Sequence, residues 1–376
     1  MSPSDTPRVL QLCHGYDGPF LDCARQYAVL FAGTPYRVTT VFLTGVPDER
    51  VAAACASDEV LFLGYSSKEV GGLKLGAMRR LREIIQGRDF RLCIAHRFKP
   101  AYIACVATHL PVIGINHAFG VYQRFSRRIF ANLFRKRLLL LGVSNAVRDD
   151  IRACLPNWPA ERIETLYNRI DVEAVQAEQI AREAARAHLG LPLEAWVVGN
   201  VGRLHPDKDQ ATLIRGFAQA RPKLPPGSLL AIMGAGRLEA ALKALASELG
   251  ISDSVRLLGQ MPNARRYFKA FDVFALSSDH EPFGMVLLEA MAAGVPIVCS
   301  DCGGGREVIE GVGSLFPFRD EKALARQLEQ MSNTECSAYA TEQRLRQYFT
   351  DDVAKIHFWK LASSFLPGDS IAGTTA

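Results

Sequence analysis

The sequence predicts an α/β protein of two doubly wound domains, each a parallel sheet covered by helices. Three observations predict it. The chain has 376 residues, more than one core normally serves, because single cores stop growing near about 250 residues. Short β-rich segments alternate with helical ones along its whole length, the pattern of parallel sheets with ligands at the carboxyl ends of their strands. After an Ala-rich helical stretch, a fresh strand series then starts at Trp196. With 48% hydrophobic and 22% charged residues, the composition is that of a globular protein, neither disordered nor fibrous.

Taken in order, residues 8–12 form an apolar strand that runs into a turn at 14–19, and residues 20–31 follow with helical spacing. Further strands are expected at 36–43, 60–63, 92–95, 111–116, 138–144 and 162–167, with an amphipathic helix at 73–85. These make a first domain over residues 1–172. A single helix is expected at 176–188. Strands at 196–201, 229–233, 255–258, 273–276, 296–300 and 313–316 then build a second domain over 173–340. The chain turns helical again from Cys336 to Phe365, and residues 341–366 are expected to cross back to the first domain. The small, polar residues 367–376 read as a frayed, disordered tail.

Residues 1–8 are polar and lack the apolar stretch of a signal peptide, so a cytoplasmic protein is expected. The longest apolar runs, such as 138–143, fall far short of the ~20 residues that a membrane-spanning helix needs. Nine cysteines, an odd number, scatter through apolar contexts, which suits reduced thiols. Cys299 and Cys302 form a C-x-x-C pair, but no second pair or nearby histidine completes a zinc site, and packing is the expected role.

Charge is unevenly spread. Residues 60–148 hold 16 Lys and Arg against 3 acidic residues, a local +13 within a chain whose net charge is +5. Such a surface suits an acidic partner: an anionic membrane, a phosphorylated acceptor or nucleic acid. Residues 124–137 combine six cations with apolar residues at 125, 130, 133 and 134. Either a helix lying on an anionic bilayer or an ordinary amphipathic helix facing the core accounts for that pattern. Nucleic acid is disfavoured, since no recognition motif accompanies the cations.

The most informative stretch is 277–296, which reads as strand end, turn and helix start. Pro282 has no N–H to donate and Gly284 allows close backbone approach, so a helix starting here aims unpaired amides at an anion such as a phosphate. The amides of Phe283, Gly284 and Met285 are the candidates. Glu281 precedes the helix and Glu289 lies about two turns into it, so one carboxylate can meet a sugar and the other a ribose. Upstream, Arg203 and Lys208 are spaced to converge on a diphosphate and offset charge on a leaving nucleotide. Gly234 and Gly236 read equally as a phosphate nest or a plain turn, and Gly15 and Gly18 lie in a turn of the first domain. His117 ends an apolar strand, where a core or structural histidine is the plain reading.

The span from Glu281 to Glu289, with the Ala-Met-Ala-Ala-Gly-Val-Pro that follows, resembles the E-x7-E segment of the retaining GT-B glycosyltransferases of family 4. Segments 199–209, 233–237 and 303–309 resemble further motifs of that family in the same order, and 143–147 and 167–171 resemble its domain-junction signatures. The resemblance implies two Rossmann-like domains facing across a cleft, with the acceptor in the first and a nucleotide sugar in the second. It implies transfer with retention of configuration and no metal or other cofactor. Arg203 and Lys208 would bind the diphosphate, Glu281 the sugar, Glu289 the ribose, and His117 the transferred sugar, while Gly15, Gly18, Gly234 and Gly236 would let backbone approach the substrates. A UDP-sugar is the expected donor, ahead of GDP-mannose. A glycan or lipid-linked acceptor is expected, in lipopolysaccharide core or another envelope polysaccharide, with peripheral contact to the anionic inner membrane. A GT-B sugar-nucleotide epimerase, or a non-catalytic sugar-nucleotide-binding protein, is the alternative.

Overall fold

The computed structural model describes residues 6–334 and 338–366. The expected tail at 367–376 and the start of the last helical run at Cys336 lie outside these residues. The chain divides into two compact units: residues up to Asn168 together with those from Asp351 on, and Arg169–Thr350.

The first unit contains a seven-stranded sheet in the order β3-β2-β1-β4-β5-β6-β7. Its strands are β1 (Arg8–Cys13), β2 (Arg37–Thr44), β3 (Glu59–Tyr65), β4 (Phe90–His96), β5 (Val112–Asn116), β6 (Leu138–Gly142) and β7 (Ile163–Thr165). All pair in parallel. Parallel strands buried on both faces read as continuous apolar runs, and β6 is the plainest case: Leu138, Leu139, Leu140 and Leu141 are each no more than 1% exposed. Fully burying each such side chain contributes about 1.5–3 kcal/mol.

Helix Asp351–Ser363 completes this unit. Phe358, fully buried, meets the Phe31 ring edge-on at 5.5 Å. Trp359 donates its indole N–H to the Leu30 carbonyl at 3.0 Å, and Asp351 pairs with Arg25 at 2.8 Å. The helical run expected from 336 to 365 is two helices, Ala338–Tyr348 and Asp351–Ser363, and the first of them belongs to the second unit. The two changes of unit fall at 168/169 and 350/351 rather than at 172/173 and 340/341.

The second unit holds a six-stranded parallel sheet in the order β10-β9-β8-β11-β12-β13. These are β8 (Val197–Val201), β9 (Leu229–Met233), β10 (Val255–Leu257), β11 (Val273–Leu276), β12 (Ile297–Ser300) and β13 (Ser314–Phe316). Val198, Leu230, Ile232 and Val298 from the sheet share one core with Leu213, Phe217, Leu324 and Leu328 from two covering helices. Helix Glu321–Ser332 starts where the Asp320 carboxylate accepts the Ala323 amide, satisfying one of the orphan donors of a helix N-terminus.

The helix expected at 176–188 is two helices, Val172–Glu178 and Arg182–Leu189. Tertiary bonds break it: the Ile180 amide donates to the Arg266 carbonyl at 3.1 Å, and the Gln179 side chain to the Glu289 carbonyl at 3.2 Å. Arg186 of the second helix, 1% exposed, donates to the carbonyls of Ala270, Pro192, Leu193 and Ala195. Its charge is met by Asp272 at 2.8 Å, just before β11. Asp272 also accepts Arg182 and the Val197 amide, each at 2.7 Å.

Candidate active site

In each sheet the strand order reverses once beside its founding strand, between β1 and β4 and between β8 and β11. Ligands of open α/β sheets bind at the carboxyl ends of the strands at such a reversal.

In the second unit, the loop after β8 and the loop after β11 are stitched together there. The Asp279 amide donates to the Asp207 carbonyl at 2.9 Å, and the Ser277 hydroxyl to the Lys208 carbonyl at 2.9 Å. Across this seam Lys208 Nζ lies 2.6 Å from Glu281 Oε2. The Ser278 hydroxyl also donates to Glu281 Oε2, at 3.3 Å. Glu281 is 7% exposed, and its carbonyl accepts the Gly304 amide at 2.7 Å. A buried carboxylate needs such partners, since burial otherwise favours its neutral form.

Arg203 stands apart from this pair. Its side chain is 73% exposed, with Asp207 at 3.4 Å, and Asp207 also meets His205 Nδ1 at 2.5 Å. Sequence reasoning assigned Asp207, Ser277 and Ser278 no role. All three lie within the stretches 199–209 and 277–296, but an orienting contact leaves no spacing signature.

Gly284 caps helix Met285–Ala292 with φ +95°, a conformation that side chains resist. Pro282 precedes it half-buried, and Phe283 is buried against Phe349, with ring centroids 5.7 Å apart. Glu289 lies half-buried on the same helix. Gly234 and Gly236 follow β9, where the structure shows a close-packing demand. A Cβ on Gly234 would come within 1.9 Å of the Gly202 carbonyl oxygen, and one on Gly236 within 2.4 Å of that of Leu204. These glycines let the β9 loop press against the segment that carries Arg203.

Cys299 and Cys302 are free thiols. Cys302 donates to the Ser278 carbonyl at 2.8 Å, and burial pushes the Cys299 thiol well above its usual range. Among the described residues, no group of three or more His, Cys, Asp or Glu could hold a metal ion.

Gly15, Gly18 and His117 belong to the first unit. A Cβ on Gly15 would meet the Thr44 hydroxyl at 2.7 Å, whereas Gly18 has φ +59° in open space. His117 lies one residue beyond β5, with Nε2 at 3.3 Å from His96 Nδ1 and Nδ1 at 3.9 Å from Cys23 Sγ. Both ring nitrogens therefore face protein neighbours. Burial first, and then the Arg97 guanidinium, lower the His117 pKa to about 4.

A stability consequence follows for His117. With the folded-state pKa depressed, the unfolded chain binds more protons between about pH 4 and the unperturbed ~6.5. Its contribution is complete above that window and is lost as pH falls through it, by about 1–3 kcal/mol. Chemical denaturation from pH 7 to pH 4.5 should show this loss shrinking in His117→Asn; an unchanged slope refutes it.

The helix Phe125–Phe134 presents two apolar faces. Phe130 and Phe134 pack inward, with Phe130 at 5.3 Å from the Phe98 ring. Phe125, Ile129 and Leu133 point outward, 69%, 52% and 75% exposed. Among the described residues, no helix is long and apolar enough to cross a membrane.

Comparison with known proteins bears on the family and the fold. Residues 33–174 match the Glycosyltransferase Family 4 model, and residues 181–351 match the Glycosyl transferases group 1 model. The chain is 36% identical over 148 residues to the lipopolysaccharide core biosynthesis glycosyltransferase LpsE of Rhizobium meliloti, covering 39% of this chain and 42% of that protein. The chain thus spans under half the length of this curated relative. Two solved structures share its fold: a glycosyltransferase from Rickettsia africae (TM-score 0.81, 13% identity, 97% of this chain and 100% of that one) and Anabaena HepE in complex with UDP-glucose (TM-score 0.77, 21% identity, 95% and 99%). With both halves matched and both sheets built as described, the chain belongs to the group 1, family 4 glycosyltransferases and has their two-domain α/β, GT-B fold.

Proposed function

We propose that the protein transfers a sugar from a nucleotide diphosphate sugar to a hydroxyl acceptor, with retention of configuration and without a metal ion. The observation that carries this reading is the Lys208–Glu281 pair, held at 2.6 Å at the β8/β11 reversal and stitched across two loops. Lys208 and the largely exposed Arg203 together bind the diphosphate, so charge growing on the leaving nucleotide meets two cations. The amides of Phe283, Gly284 and Met285, at the N-terminus of helix Met285–Ala292, bind the phosphate end of the same donor. Glu281 then accepts a sugar hydroxyl and Glu289 the ribose hydroxyls.

A UDP-sugar is the favoured donor, supported by the likeness to a fold captured with UDP-glucose. An envelope acceptor, in lipopolysaccharide core or a related polysaccharide, is supported by the relative named for that pathway. The outward Phe125, Ile129 and Leu133, flanked by Arg124, Arg128, Arg135 and Lys136, suit peripheral binding to an anionic bilayer. Co-sedimentation with phosphatidylglycerol vesicles but not phosphatidylcholine ones, abolished when all three apolar residues become Ser, checks that part.

The deciding experiment is donor hydrolysis and thermal shift across UDP-, GDP- and ADP-sugars in EDTA, followed by the anomeric configuration of the transferred sugar by NMR. Glu289→Ala should raise the donor KM about tenfold, as expected for one lost charged hydrogen bond. Indifference to every sugar nucleotide sinks the reading.

A further inference from the structure

A second set of cations gathers at the other strand reversal, within the first unit, and the donor chemistry leaves it unused. Arg97 directly follows β4, Lys99 lies in the first turn of helix Phe98–Ala107, Lys74 caps helix Leu75–Ile85, and His14 directly follows β1. The Arg97 guanidinium lies 4.1 Å above the Phe20 ring, which opens the helix after β1. Lys74 Nζ lies 4.8 Å from the Tyr102 ring, one turn along from Lys99.

The groups sense one another. Burial, then the charges of Lys99 and Arg97, lower the pKa of His14, with exposed Asp17 acting in the opposite direction. Burial, then Lys99, lowers that of Lys74. Among the described residues, no carboxylate pairs with Lys74, Arg97 or Lys99 within 4.0 Å. His14 Nδ1 is buried without a hydrogen-bond partner. Mutually repelling cations beside an unsatisfied imidazole nitrogen are poised for an anion.

Backbone conformation points the same way. Arg97 has φ +77° and ψ 168°, a region that side chains rarely occupy, and Lys74 has φ +60°. Packing alone would place glycine at position 97, because a side chain there holds the backbone in strain. Such strain persists where a side chain serves a ligand.

We propose that Arg97, Lys99, Lys74 and His14 form a subsite for a phosphate group carried by the acceptor. Arg97 offers the bidentate fork, the lysines offset the second charge, and His14 bonds one phosphate oxygen. The inference rests on the transferase reading, for which it names the acceptor class.

Inorganic phosphate, titrated by calorimetry into the intact protein at saturating UDP, separates this subsite from the donor diphosphate site. Saturable millimolar binding is expected, weakened at least fivefold in Arg97→Gly and in Lys99→Gln. Arg97→Gly should hold or raise Tm, because glycine accepts that backbone, so its loss of phosphate is not loss of fold. No saturable binding to the intact protein, or binding that both variants retain, overturns the proposal while UDP binding stands. Failure of UDP, GDP and ADP alike to bind overturns the transferase reading instead, and the two variants still decide the phosphate site.

Discussion

Lys208→Ala should cost the enzyme about 100- to 1,000-fold in kcat for sugar transfer, the scale on which one preorganised charge stabilises a transition state. The same substitution should destabilise the second unit. Glu281, 7% exposed, would keep Ser278 at 3.3 Å as its remaining side-chain partner. Breaking a buried pair from one side costs about 3–5 kcal/mol, and the 19% exposure of the Lys208 side chain places the expected loss near the lower end. Fold and chemistry separate in the double variant Lys208→Met with Glu281→Gln. It removes both charges, so chemical denaturation should recover most of the stability while transfer stays lost. Wild-type kcat in Lys208→Ala would show that the donor site lies elsewhere.

Asp272→Ala should be the most damaging change to stability outside the site. It strips the counter-charge from Arg186, which is 1% exposed and encircled by carbonyls, and it leaves the Val197 amide without its acceptor at the start of β8. The expected loss is about 3–5 kcal/mol, since an uncompensated buried guanidinium cannot shed its proton. Removing an exposed pair such as Lys243–Glu239, 62% and 43% exposed, should by contrast change little. Guanidinium melts of Asp272→Ala and of Arg186→Met with Asp272→Leu form the check. A loss under about 1 kcal/mol in the single variant, or no recovery in the double, would mean that the network is dispensable.

The strands were legible because a parallel sheet buried on both faces writes itself as short apolar runs; those expected at 229–233 and 273–276 match β9 and β11 to the residue. The Glu281-to-Glu289 span stands out in the sequence because a nearly charge-free helix that keeps one carboxylate is chemically odd. What spacing does not carry is contact between distant residues. Lys208 and Glu281 stand 73 positions apart, and nothing local says that one neutralises the other. The helix expected at 176–188 failed for a related reason. Its composition favours continuous helix, but Arg266 and Glu289 offer the Gln179–Ile180 segment better partners from outside it. Arg97 was silent because a strained φ has no sequence signature unless glycine marks it.

The first unit is interrupted: its chain leaves after Asn168 and returns only at Asp351. During synthesis, the segment 169–350 is therefore complete and can fold while the first sheet still awaits its last helix. Until that helix emerges, Phe31 and the Leu30 carbonyl lack Phe358 and the Trp359 indole that meet them in the finished protein. An apolar patch thus stays open for the whole time the ribosome takes to make a second domain, about 10–40 seconds at ordinary elongation rates. The nascent chain is most vulnerable around Leu30 and Phe31, and a chaperone that shields this protein has most to do there.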